Sequence, residues 1–247
     1  MLASFNLHLF WDALSSGPFW RGALLAIELT VLSFAAAIIV GFFLALGRSS
    51  RSRAVRSGVF FYTWIFRATP TLLQLLFIWD ALPQIWPTFR HGWFTPFLAA
   101  AIALSLNEAA YMAEIIRSGL LSVDPGQELA GRALGMPRRR ILRRIIVPQA
   151  VRIVIPPMGN EFITLLKLTS LASVISVTEL LTAAQEYYST TFSYQEAFAA
   201  AALYYLFIVS VLMFFQSRLE KRFTFASRGR KRAVAPPGVP AISHDAR

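Results

Sequence analysis

The chain has 247 residues, 56% of them hydrophobic, with no cysteine, three histidines and a formal charge of +11. Without cysteine there can be no disulfide or thiolate metal site, and His8, His91 and His244 lie in separate polar regions, which argues against a zinc or haem centre. No HExxH, nucleophile elbow or phosphate-cradling GxxxxGK[ST] occurs, so the chain has no visible means of hydrolysing a substrate by itself.

Residues 1–20 lack a basic n-region followed by an apolar run and a small-residue cleavage site, so they are expected not to be a removable signal peptide. Phe5, Leu9, Phe10, Leu14 and Phe19 suit an amphipathic piece lying along the outer interface, with simple disorder as the alternative. Apolar stretches then recur at 24–47, 59–82, 94–117, 150–177 and 197–217. Each is near the roughly 20 residues a helix needs to cross hydrocarbon, which predicts an all-α polytopic integral membrane protein with about five transmembrane helices in residues 21–220.

Charge placement orients these spans. Arg48, Arg51, Arg53 and Arg56 follow the first; Arg117, Arg132, Arg138, Arg139, Arg140, Arg143, Arg144 and Arg152 follow the third; Arg218, Lys221 and Arg222 follow the fifth. The other two loops carry only Arg90. This alternation places the N-terminus outside and the C-terminus inside, and makes the lipid bilayer rather than nucleic acid the partner of the basic residues.

The second span carries Arg67, Thr69, Pro70 and Gln74. Pro70 removes a backbone hydrogen bond and predicts a kink that frees a carbonyl near mid-membrane. Arg67 has two open readings, an ion pair with Glu108 or Glu114 and a contact with substrate. In the third span Asn107, Tyr111 and Glu114 follow i, i+4, i+7 spacing and form one polar stripe, with Glu108 beside it. Ionisable groups in hydrocarbon normally face a partner, a water-filled cavity or a ligand, so this stripe is the first candidate for a substrate path.

The segment 118–148 is too polar to span the membrane and is punctuated like two short helices. Asp124 is a good N-cap, Pro125 suits the first helical position, and Gln127 stands where a capping box places Glu or Gln. Gly135 and Pro137 predict the stop. A helix of about ten residues, about 15 Å long, is marginal alone and must pack on something. The stretch after it places Ile141, Leu142, Ile145 and Ile146 on one face and arginines on the rest, which suits either an interfacial helix on anionic lipid or a surface presented to a cytoplasmic partner.

In the fourth region Pro156, Pro157 and Gly159 are expected to interrupt the helix before Asn160 and Glu161. Glu161 and Lys167 are six apart and cannot form an i, i+4 pair, so each needs a partner elsewhere. An unwound stretch at Leu168, Thr169, Ser170 and Leu171 would offer backbone N–H groups to an α-carboxylate, the alternative being hydroxyl-mediated contact between helices. Residues 221–247 are expected to form a cytoplasmic tail that is basic and then Pro-rich, disordered from about Ser227. No internal repeat is visible, which suggests a pathway completed by another subunit.

The stretches EAAYMAEIIRSGLLSVDPGQ, ELAGRALGMPRRRILRRIIVPQAVR and PPMGNEFITLLKLTSLASVISVTEL, together with RATPTLLQL in the second span, resemble the permease subunits of ATP-binding cassette importers for polar amino acids. The resemblance covers roughly 20–220 and implies the type I importer transmembrane-domain fold in a bacterial inner membrane. It further implies a second permease subunit, two ATPase subunits that hold the ATP and magnesium, an extracytoplasmic amino acid binding protein, and no cofactor in this chain. Asp124, Gly126, Glu128, Leu129, Ala130, Ala133, Leu134 and Gly135 would then belong to the EAA-motif coupling helix, which docks on the ATPase. Leu129 for the family's middle alanine, Gly131 just after the motif, and Leu168 where the family usually has Asp are departures from the pattern. Two rival readings are a membrane enzyme using Glu108, Glu114 and Arg67 as an acid–base site, and a membrane scaffold gathering partners on its arginine-rich loops.

Overall fold

The computed structural model describes residues 5–231, with side chains through Phe223, and among the described residues it is helical with no strand. Helix α1 spans Leu7–Ser15, α2 Gly17–Arg48, α3 Arg53–Ala68 and α4 Thr71–Leu76; a π turn at Phe77–Ala81 joins α4 to α5, Leu82–Ile85. After a 3-10 turn at Pro87–Arg90 come α6, Pro96–Leu121, and α7, Pro125–Ala133. Helix α8, Arg138–Ile141, runs through a second π turn at Leu142–Ile146 into α9, Val147–Leu168, which tightens to a 3-10 helix at Thr169–Ile175. Helices α10, Leu180–Thr191, and α11, Tyr194–Lys231, complete the order.

Three helices, Gly17–Arg48, Pro96–Leu121 and Tyr194–Phe223, are each long and apolar enough to cross a membrane. Two bent pairs, Arg53–Ala68 with Thr71–Ile85 at 108° and Arg138–Ile175 with Leu180–Thr191 at 48°, bring the number to five if each pair is one span. The expected second span at 59–82 is therefore sharply broken at Thr69 and Pro70 rather than merely kinked. Pro70 lacks an N–H and pushes Thr69 out of the helical region, where it sits at ψ 145°.

Helix α2 packs along α6, and small residues make the close approach possible. A Cβ at Gly41 would lie 2.5 Å from Met112 Cβ, and one at Gly119 on α6 would meet Val154 of α9. Such small-residue crossings are the usual means of helix association where lipid removes the hydrophobic drive between helices. The main apolar cluster, which includes Leu29, Leu75, Leu104 and Leu165, lies among α2, α4, α6 and α9.

A second cluster gathers Ala13, Phe19, Leu180, Ala184, Ala197 and Ala200 at the end of the bundle that holds α1. Helix α1 is ordered there by polar ties as well as by Phe10 and Leu14. The Asn6 N–H donates to Glu196 Oε1 at 2.6 Å, and the Tyr187 hydroxyl donates to Leu9 O at 3.0 Å and to Asp12 Oδ2 at 2.9 Å. The Tyr204 hydroxyl donates to Leu14 O at 2.8 Å. At the other end of the chain, α11 continues to Lys231, past the Ser227 boundary expected for disorder; the rest of the expected tail, 232–247, lies outside the described residues.

Candidate functional site

The break between α3 and α4 is where the intramembrane polar residues meet. A helix end in apolar surroundings leaves carbonyls without partners, and each must be satisfied inside the protein. Gln74 is 8% exposed, and its Nε2 donates to Phe66 O at 2.9 Å, Thr69 O at 3.1 Å and Thr69 Oγ1 at 2.8 Å. Asn107 of α6 donates from Nδ2 to Phe66 O at 3.1 Å and to Gln74 Oε1 at 3.0 Å. Thr69, Gln74 and Asn107, all proposed from sequence for a substrate path, thus form one network that satisfies the break. Tyr62 extends it, donating to Leu106 O at 2.7 Å.

The charged residues around this network are arranged differently from the expected ion pairs. The Arg67 guanidinium lies 5.4 Å from the centre of the Tyr111 ring. Among the described residues it has no carboxylate within 4.0 Å, because Glu114 instead faces Arg117 on its own helix at 3.5 Å. Arg67 and Glu114, with Arg48, Phe60 and Trp64, line a cavity of about 350 Å³. Glu108 is 1% exposed, and among the described residues its Oε1 has no hydrogen-bond partner. Glu161 of α9 is within electrostatic reach of both Glu108 and Arg67. The stripe predicted on α6 is therefore real in position, with Asn107 and Glu108 buried and Tyr111 and Glu114 half-buried.

Helix α9 departs from expectation. It runs without interruption through Pro156 and Pro157, with Asn160 exposed and Glu161 half-buried on the following turn. Each proline removes only its own N–H bond. Gln216 of α11 anchors the segment, donating from Nε2 to Pro156 O at 2.7 Å. Gly159 makes room for that side chain, since a Cβ at 159 would occupy the position of the Gln216 amide. Neither Gln216 nor this role of Gly159 was foreseen; the available signal was one amide in the apolar run VSVLMFFQS.

The stretch expected to be unwound is a 3-10 helix instead, ending at Ser176 with φ 63°. Thr169 Oγ1 donates to Leu166 O, Ser170 Oγ to Lys167 O and Ser173 Oγ to Ser170 O, each at 2.7 Å, all in the i−3 pattern that accompanies the tighter winding. Its backbone is coiled, Thr169 is fully buried, Ser170 and Leu171 are half-buried, and Lys167 is exposed. The following helix begins on a residue that sequence reasoning passed over. Buried Glu179 accepts from Leu181 N and Thr182 N at 2.9 Å and from the Tyr205 hydroxyl at 3.0 Å.

The segment joining α6 to α9 forms as its caps predicted. Asp124 accepts from Gly126 N at 2.7 Å, and Pro125 opens α7. The Gln127 half of a capping box is missing, because Asp124 bonds one residue earlier than that motif requires. At the far end Gly135 adopts φ +70°, its N–H donates to Arg132 O at 2.9 Å, and Met136 N–H donates to Gly131 O at 3.0 Å. These two bonds are a Schellman closure. Gly131 supplies the packing that so short a helix needs, since a Cβ there would lie 2.8 Å from Ile141 Cγ1, and Ile141 is fully buried. Glu128 pairs with Arg132 along the surface. Leu129 and Leu134 are left 67% and 81% exposed.

A model of the family described as "Binding-protein-dependent transport system inner membrane component" matches residues 37–225. The chain belongs to this family. It is similar to the arginine transport system permease protein ArgU of Corynebacterium glutamicum, 42% identical over 227 residues that cover 86% of this chain and 72% of that protein. It is also similar to the glutamine transport system permease protein GlnP of Escherichia coli strain K12, 36% identical over 202 residues covering 82% and 91%. A crystal structure of an amino acid ABC transporter with histidines superposes with a TM-score of 0.80 at 34% identity, covering 90% of this chain and 100% of that one. As a member of this family the chain is a transport-system permease with an ABC-importer-like helical fold, a transporter subunit and not an enzyme. The acid–base reading of Glu108, Glu114 and Arg67 falls with that conclusion, and Arg67 stacking on Tyr111 is equally unlike a proton-transfer pair.

Proposed function

We propose that this permease forms the translocation pathway of an ATP-driven amino acid importer in a bacterial inner membrane. In this reading it has five spans, counting each bent pair as one, with the N-terminus outside and the segment 118–148 inside. A second permease subunit, identical or closely related, completes the pathway; two ATPase subunits bind below, and an external binding protein delivers the amino acid. Relatives transporting arginine and glutamine support an amino acid substrate. The charges around the break, exposed Arg67, buried Glu108 and half-buried Glu114 and Glu161, suit the ammonium and carboxylate groups of such a solute, and the Thr69–Gln74–Asn107 network holds the helix break beside them. Thr169, Ser170 and Leu171 serve as packing beside the pathway rather than as free N–H donors.

The observation that carries the reading is the exposed pair Leu129 and Leu134 on a short helix closed at both ends. A segment fixed by Asp124, Gly131 and Gly135 moves as one body, and two bare leucines on it form a surface for a docking groove. Closure of the ATPase pair on ATP would push this segment and switch access to the pathway between the two sides. The test is reconstitution of the full transporter and measurement of ATP hydrolysis stimulated by the loaded binding protein. Leu129→Asp with Leu134→Asp removes two apolar contacts, and stimulated hydrolysis is expected to fall at least about tenfold while the chain remains folded. Full stimulation in that variant, with the ATPase still bound, would overturn the coupling assignment.

A further inference from the structure

Where α2, α9 and α11 meet, a groove of about 690 Å³ opens on the side of the bundle. Its interior is apolar, with Phe34, Ile155, Met158 and Leu212 on the walls and Phe162 set edge-on against Phe34 at 5.1 Å. One end is different. Arg218 and Arg222, one helical turn apart on α11, stand at its rim, and among the described residues neither pairs with a carboxylate. The nearby Glu220 is engaged instead by Gln216, which donates to its Oε1 at 3.0 Å. Past Ile155 and Met158 a second groove, of about 400 Å³ and without polar lining, continues between α2, α6 and α9. An apolar trough with two cationic heads at one end matches an amphiphile with an anionic head.

We infer that this groove binds an anionic phospholipid of the inner leaflet, its phosphate on Arg218 and Arg222 and its two acyl chains in the paired grooves on either side of Ile155 and Met158. Charge selects this occupant over a second copy of the chain. No carboxylate is among the residues lining the groove, so a twofold copy of this face would offer the two arginines no partner, whereas a phosphate neutralises the pair. Guanidinium groups also match phosphate geometry through several donors at once, and basic residues at the inner surface attract anionic lipid. Gln216, which donates to Pro156 O, also lines the groove, so the occupant buttresses the α9–α11 contact. The inference rests on the proposed inward placement of Arg218 and Arg222 but not on transport, which is measured separately.

The test is native mass spectrometry of the full-length chain released from nanodiscs of phosphatidylglycerol mixed with phosphatidylcholine. The wild-type chain is expected to retain phosphatidylglycerol over phosphatidylcholine, and Arg218→Gln with Arg222→Gln to reduce that retention by on the order of tenfold. Leu212→Trp, which fills the groove, is expected to lose both lipids while leaving the arginines in place. Equal phosphatidylglycerol retention by the arginine variant and the wild type would overturn the proposal. So would an equal loss on Arg51→Gln with Arg53→Gln, which would mean general surface charge, or a fall in oligomeric mass without lipid loss, which would mean a second copy. Thermal unfolding of each variant separates these outcomes from misfolding.

Discussion

Asn107 donates to the Gln74 side-chain carbonyl at 3.0 Å, and both amides, one on α4 and one on α6, reach the same Phe66 carbonyl at the end of α3. Two residues 33 positions apart therefore share one acceptor that Pro70 set free. Their energies should be coupled. Gln74→Leu and Asn107→Leu are each expected to destabilise by about 1–3 kcal/mol, since each leaves the other amide without its partner. The double variant is expected to cost less than the sum by about 0.5–2 kcal/mol, measured as a double-mutant cycle of unfolding in detergent. Strict additivity would mean that the two amides act independently.

Glu108 invites a test that separates fold from function. Among the described residues one of its oxygens has no partner, so Glu108→Gln removes a buried ionisable group without removing a needed acceptor. Unfolding is expected to shift by less than about 1 kcal/mol, in the stabilising direction if the carboxylate is ionised. Uptake by the reconstituted transporter is nevertheless expected to fall if Glu108 faces the solute. Wild-type uptake in this variant would remove Glu108 from the pathway.

Gly131 and Gly135 should fail for different reasons. At Gly135 the backbone is left-handed, and Gly135→Ala is expected to cost about 1 kcal/mol with some retention of the segment's shape. At Gly131 the backbone is ordinary and the obstacle is Ile141; Gly131→Val should separate α7 from α8 and abolish ATPase binding. Combining it with Ile141→Ala is expected to restore part of that binding, which co-purification would register.

Much of this was legible in the chain before any coordinates, and the reasons are local. Asp124, Pro125 and Gly135 bound α7 through chemistry confined to a few neighbouring residues, so their sequence was enough. Pro70 likewise announced a kink, though not a full break of 108°. The polar residues in apolar runs could be found one by one, but their partners could not: Arg67 took an aromatic face and Glu114 a neighbour on its own helix. Pro156 and Pro157 misled because each removes only its own N–H bond and the helix continues through both, while α11, 60 residues away, ties to the segment through Gln216. Thr169 and Ser170 misled for a local reason, since hydroxyls can bond back onto their own helix as readily as across to another.

Buried Glu179 offers a further check on helix ends. It caps α10 and holds the Tyr205 hydroxyl of α11. Glu179→Ala is expected to destabilise by about 2 kcal/mol or more, and Tyr205→Phe by about 1 kcal/mol, because the first removes both the cap and the tie. Unfolding midpoints of the two variants decide the order.

Gly159 and Gln216 occupy one space between them: the glycine is empty where the amide is full. A larger residue at 159 is admissible only with a shorter one at 216, and a shorter residue at 216 alone leaves Pro156 without its donor. Mutation of either one by itself therefore crosses a barrier that a simultaneous exchange would avoid. Among descendants of this chain, drift at these sites should be correlated, even though 57 residues separate them in sequence.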